Sequence, residues 1–115
     1  TPCGTLFPYT TLFRSLLPHV ERWNLNARLE RFVDIAKAMG EQIEVLSKRE
    51  AADRALSAIE KLSSDIGIPK GLAELGVKEK DIPTMTANAQ ADACGFTNPT
   101  CFSDEDVAAI YKAAL

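Results

Sequence analysis

Histidine is nearly absent from this chain of 115 residues: there is one, His19, beside three cysteines, Cys3, Cys94 and Cys101. An odd number of cysteines with no close C-x-x-C pair gives neither a disulfide framework nor a zinc ribbon. The four soft ligands match no metal-binding spacing, so no metal is expected on this chain alone. Long apolar runs are missing too. None approaches the roughly 20 residues that cross a bilayer, and no basic region followed by an apolar core opens the chain. Neither a membrane partner nor a secretory signal is expected, which leaves the cytoplasm as the default location. Clustered bases are the third absence. A net charge of −3 argues against a nucleic-acid footprint. The bases alternate instead with acids, as in Lys48, Arg49, Glu50, Asp53 and Arg54, the pattern of a solvated helix face.

What is present fits a soluble globular protein, with 46% hydrophobic and 25% charged residues. A chain of this length buries about two-thirds of its unfolded surface, enough for one core. Its first fifteen residues do not share that character. Thr5 to Ser15 reads TLFPYTTLFRS and resembles a translated sequencing adapter over all eleven residues. It has neither clean helical nor clean strand periodicity. Residues 1–15 are therefore set apart as an artefactual leader, and the chain is expected to have been assembled from a truncated read. Without them, one base (Arg14) and no acid are lost, and the charge becomes −4.

From Leu16 onward the pattern is helical. Leu16 to Trp23 resembles the end of a helix, with Pro18 inside it. A turn at Asn24–Asn26 follows, and Asn26 is the expected N-cap of the next helix. Leu29, Phe32, Val33, Ala36 and Met39 then make one buried stripe before Gly40 stops the helix. Ser47-Lys-Arg-Glu50 is a capping box. It opens a long helix with Ala52, Leu56, Ile59, Ser63 and Ile66 along one face, widened by Ala55 and Leu62, and ended by Gly67 and Pro69. A short turn at Gly71 to Leu75 closes at Gly76. Asp81 and Pro83 start a helix bearing Met85, Ala89 and Ala93, and Gly95, Asn98 and Pro99 break the chain again. A second capping box, Ser103 to Asp106, starts a last helix with Val107, Ile110, Tyr111 and Ala114. No segment alternates as a strand would. The expected fold is all-α, about five helices.

Three stretches point to a family: LLPHVERWNL (Leu16–Leu25), LSKREAADRALSAIEKLSSDIGIPKGLAELGVKEKDIP (Leu46–Pro83) and ADACGFTNPTCFSDEDVAAIYKAAL (Ala91–Leu115). In this order and spacing, residues 16–115 resemble the C-terminal portion of the helical domain of the iron-containing alcohol dehydrogenases. The resemblance implies a parent with an N-terminal dinucleotide-binding domain followed by a helical domain. Such a parent transfers a hydride between a small alcohol or aldehyde and NAD or NADP, with iron or zinc polarising the oxygen. The family's metal ligands, one aspartate and three histidines, lie upstream of LLPHV, as does its glycine-rich pyrophosphate loop. Residues 16–115 would thus lack their partners, the dinucleotide-binding domain and the metal-binding helices. Alone they are expected to be inactive and to bind no cofactor. If Thr1–Gly4, TPCG, descends from the family's TPHG phrase, Cys3 stands in place of a metal histidine.

Single residues are weighed against plainer roles. His19 is read as a packed or surface histidine rather than a ligand, and Trp23 and Phe32 as core anchors. By the resemblance, Cys94 lines the cleft for substrate and nicotinamide; the plain alternative is a small buried hydrophobe. Neither role makes it a nucleophile, since Asp92, Ala93 and Gly95 give no electropositive setting. Cys101 is given no chemical role. Asp104, Glu105 and Asp106 suit the positive end of a helix dipole. The alternative to a dehydrogenase fragment is a free-standing helical interaction module.

Overall fold

The two capping boxes seen in the sequence set the starts of two helices. Ser47 Oγ accepts from the Glu50 amide at 3.2 Å, while the Glu50 carboxylate accepts from the Ser47 amide at 2.9 Å. Ser103 and Asp106 repeat the exchange at 3.2 and 3.0 Å. Each box satisfies two helix-end donors that would otherwise need water. The computed structural model describes residues 2–115, with side chains from residue 12 onward. Cys3 lies outside the residues whose side chains are described. The described chain holds five α-helices: α1 (Pro2–Asn24), α2 (Leu29–Ala38), α3 (Lys48–Asp65), α4 (Ile82–Gln90) and α5 (Asp104–Ala114). Short 3-10 turns at Leu25–Ala27, Leu72–Leu75, Glu79–Asp81 and Ala93–Thr97 join them, and no strand occurs among the described residues. The fold is all-α, as the periodicity predicts.

Helix α1 begins within the segment set apart in the sequence and passes through Pro18. The end of that segment is packed. Leu12 rests on a core cluster, and buried Ser15 donates its hydroxyl to the Pro69 carbonyl at 3.0 Å.

Two apolar clusters hold the helices. The first joins Leu25, Phe32, Ala36 and Ile43 to Ala51, Ala52, Ala55 and Leu56, so it lies between α2 and the first half of α3. The starts of these two helices lie side by side, bridged by Lys48 and Glu30 at 2.9 Å. Asn26 does not cap α2. That helix starts after Arg28 with no side-chain cap, and the Asn26 oxygen is taken by the Arg49 guanidinium instead. The second cluster gathers Leu16, Leu72 and Ala114, with Leu75, Val77, Met85, Tyr111 and Leu115 around them. It ties α1 to α5.

The predicted stripe of α3 is covered only in part. Leu62 and Ile66 continue it beyond the reach of α2 and are 51% and 64% exposed. Ala93 also leaves its stripe, because α4 ends at Gln90 and Ala93 opens an exposed 3-10 turn. The radius of gyration, 15.3 Å, exceeds the roughly 13 Å of a compact domain of this length. Part of the helical surface is therefore open.

Candidate functional site

The segment between α4 and α5 leaves the core and returns to it. Asp92 opens it by accepting the Cys94 amide at 2.8 Å, an Asx-type turn that launches the 3-10 stretch Ala93–Thr97. Thr97 Oγ1 donates to the Cys94 carbonyl at 3.1 Å and tightens the same turn. At its tip Phe96 is 90% exposed, an unusual place for a phenyl ring.

Three contacts return the segment to the helices. Asn24, at the end of α1, and Asn98 exchange amide hydrogen bonds. Gln90 Nε2, at the end of α4, donates to the Phe102 carbonyl and to Asp104 Oδ1, both at 2.9 Å. The Trp23 ring meets Phe102 edge-on, with centroids 6.0 Å apart. Trp23 thus serves as a surface clasp rather than the core anchor predicted from its type. It stays 40% exposed because its partner sits on the loop and not in a core cluster. Phe32 is the core anchor expected. The Asn pair was not legible in the sequence, although its members occur in the LLPHVERWNL and TNP phrases.

Between this segment and helices α1, α4 and α5 lies a cleft of about 380 Å³. Leu16, Val20, Phe96, Phe102, Val107 and Ile110 make it apolar, while Gln90, Asp92, Cys101 and Tyr111 add polar atoms. An apolar hollow with a few polar groups is the usual form of a small-molecule site. The cysteine on its wall is Cys101. Cys94 is exposed, so it is not the small buried hydrophobe of the plain alternative. The Asp92 carboxylate accepts a hydrogen bond from the Cys94 thiol and repels its anion, pushing this thiol above the ordinary range. The thiolate is the reactive form, so Cys94 is expected to alkylate slowly near neutral pH. Asp92→Asn should speed iodoacetamide labelling of Cys94 at pH 8 and leave Cys101 unchanged, as mass spectrometry would read. Equal rates before and after the substitution would show that the carboxylate does not restrain the thiol.

His19 sits on the α1 face toward α3, half-buried. Burial, and next the Arg22 charge beside it, hold its pKa below the usual histidine range. Arg22 itself pairs with Glu60 of α3 at 2.7 Å. Among the described residues no group of three His, Cys, Asp or Glu side chains could hold a metal ion. The described residues by themselves do not supply a ligand set for iron or zinc. Among the described residues, no helix is long and apolar enough to cross a membrane.

Comparison with known proteins matches residues 8–115 to the profile described as Fe-containing alcohol dehydrogenase family, C-terminal. The chain is similar to a 1,3-propanediol dehydrogenase of Klebsiella pneumoniae, 50% identical over 100 residues, which cover 87% of this chain and 26% of that protein. It is likewise similar to an NAD-dependent methanol dehydrogenase of Bacillus methanolicus, 46% identical over 99 residues, 86% of this chain and 26% of the relative. A crystal structure of 1,3-propanediol oxidoreductase superposes with a TM-score of 0.87 at 49% identity, covering 89% of this chain and 27% of the other. The chain spans about a quarter of the length of the curated relatives it matches. It belongs to the iron-containing alcohol dehydrogenase family and corresponds to the C-terminal, helical part of that family.

Proposed function

We propose that residues 16–115 are the tail of the helical domain of an NAD(P)-linked, metal-dependent oxidoreductase acting on small alcohols or aldehydes, inactive when separated from the rest. The observation that carries this reading is a close match confined to about a quarter of each relative. Leu62 and Ile66 support it, open on the second half of α3, where upstream helices would pack. The partners proposed are therefore the dinucleotide-binding domain and the metal-binding helices, and the cofactors of the whole are iron or zinc with NAD or NADP. Cys94 and its loop would form part of the wall facing substrate and nicotinamide once those parts are in place. The proposed location is the cytoplasm, where nicotinamide cofactors circulate. The boundary near residue 15 is part of this proposal; the family profile itself begins at residue 8.

The test is to extend the source gene upstream, express both lengths, and follow NADH formation with 1,3-propanediol in the presence of ferrous iron. The long protein should turn over and the 115-residue chain should not. Turnover by the short chain would overturn the reading. So would an upstream frame without an Asp/His metal set and a glycine-rich loop, and the helical interaction module would then be the reading to pursue.

A further inference from the structure

Asn24 and Asn98 are 74 positions apart in sequence, yet their carboxamides face each other as a closed pair. Asn24 Nδ2 donates to Asn98 Oδ1 at 2.9 Å, and Asn98 Nδ2 donates back to Asn24 Oδ1 at 2.8 Å. Asn98 Nδ2 also donates to the Thr100 carbonyl at 2.6 Å. A ring of this kind needs a donor and an acceptor on each side, which a primary amide supplies and a carboxylate does not. Asn24 is 2% exposed, so its end of the part-buried ring lies away from water, where an unpaired polar group is costly.

Beyond the ring, the segment meets a helix through the edge contact of Trp23 with Phe102 and through exposed polar ties. Residues 91–97 are all exposed. The bonds Asp92 and Thr97 make to Cys94 lie within the turn itself. The Gln90 contacts are exposed, and bonds formed in contact with water add little net. Among the hydrogen-bonded ties described between the 92–102 segment and a helix, the amide ring is the one that is part-buried rather than exposed.

We propose that Asn24 and Asn98 are positioning residues that latch the 92–102 segment, one wall of the apolar cleft, to the end of α1. The purpose of the latch, setting the cleft width for a small substrate, rests on the function proposed above; the latch itself is a property of this chain. The side chains act through the segment they hold, and touch no reacting atom.

Asn98→Asp and Asn24→Asp test it with almost no change in shape. Each removes one ring donor and sets two acceptor oxygens against each other. Amide exchange of Cys94, Gly95 and Asn98, resolved by NMR on the whole 115-residue chain, should speed by about tenfold or more, as expected from an unpaired buried amide. Exchange in α2 and α3 should stay within about twofold. Trp23, the single tryptophan, should shift its emission to the red as Phe102 moves away, with far-UV circular dichroism unchanged. Gln90→Leu, which cuts an exposed tie, should speed loop exchange by less than about threefold. Asn98 is only half-buried, so Asn98→Asp keeps the test available if Asn24→Asp unfolds the chain. Unchanged loop exchange and emission in Asn98→Asp would overturn the latch, as would a rise equal in α2, α3 and the loop. Because the readout is exchange and not turnover, a chain unrelated to any dehydrogenase activity would leave a positive result standing.

Discussion

Phe32→Ala is expected to lower the stability of the chain by about 3–5 kcal/mol, the usual cost of removing a buried phenyl ring. The ring is 3% exposed and packs in the cluster formed by Leu25, Ile43, Leu56 and the alanines at 36, 51, 52 and 55. Those alanines set the size of the effect. A cavity next to leucines can partly refill by rotamer changes, but a methyl group on a helix has no rotamer to offer, so the void stays open and its lining loses contacts. Natural domains hold roughly 5–15 kcal/mol, and this one, with Leu62 and Ile66 uncovered, belongs near the lower end. The substitution should therefore bring the α2–α3 pair close to unfolding at 37 °C. Urea titration followed by far-UV circular dichroism reads it directly. Ile35→Ala, on the exposed side of the same helix, should cost less than about 1 kcal/mol. A loss at Phe32 no larger than that at Ile35 would mean that the α2–α3 cluster does not hold this chain together.

What the sequence showed and what it hid divide by distance along the chain. Ser47 with Glu50, and Ser103 with Asp106, are three residues apart, and both boxes form as read. The stripe Leu29, Phe32, Val33, Ala36 and Met39 is also local; its first four residues pack in one cluster, while Met39 falls at the C-cap of α2 outside it. Gly40 and Gly67 stop their helices at φ of 84° and 80°, where a side chain would be strained. The misses involve partners elsewhere. Asn26 looks like a cap until Arg49 claims its oxygen. Trp23 looks like a core residue until its ring is found against Phe102, a loop residue far along the chain. Leu62 and Ile66 lie on a correctly read helical face, but periodicity cannot say how far a neighbouring helix extends along it. The family motifs fared differently again. They marked the segment around Cys94 as the place to look; the cleft beside that segment has Cys101 on its wall, and an asparagine pair ties the segment to α1.

Gly71→Ala should cost about 1–3 kcal/mol, the range for forcing extra atoms into a packed site, although nothing in its backbone conformation forbids alanine. Gly71 is extended, with φ −134° and ψ 149°, so the usual strain argument for glycine does not apply. Its reason is the approach of another backbone. A methyl group built there would stand 2.8 Å from the Leu115 carbonyl oxygen and 3.6 Å from that of Ala114. Neither atom is the far end of a flexible side chain, and the Leu115 oxygen also accepts from the Ala73 amide at 3.3 Å. Relief requires the Leu72–Leu75 turn and the end of α5 to separate. That separation opens the cluster of Leu16, Leu72 and Ala114, and with it the support for Val107 and Ile110 on the cleft wall. Gly95 is the matched control: nothing lies within 4 Å of its added methyl and its φ is not positive. Gly95→Ala should be neutral or slightly stabilising, since it mainly restricts the unfolded chain. Thermal melts of the two variants separate the explanations. If both glycines tolerate alanine equally, the contact between Gly71 and Leu115 is not tight, and α5 is held by its side chains alone. If only Gly71→Ala melts early, backbone contact at the end of α5 sets the position of the helix that brings Val107, Ile110 and Tyr111 to the cleft.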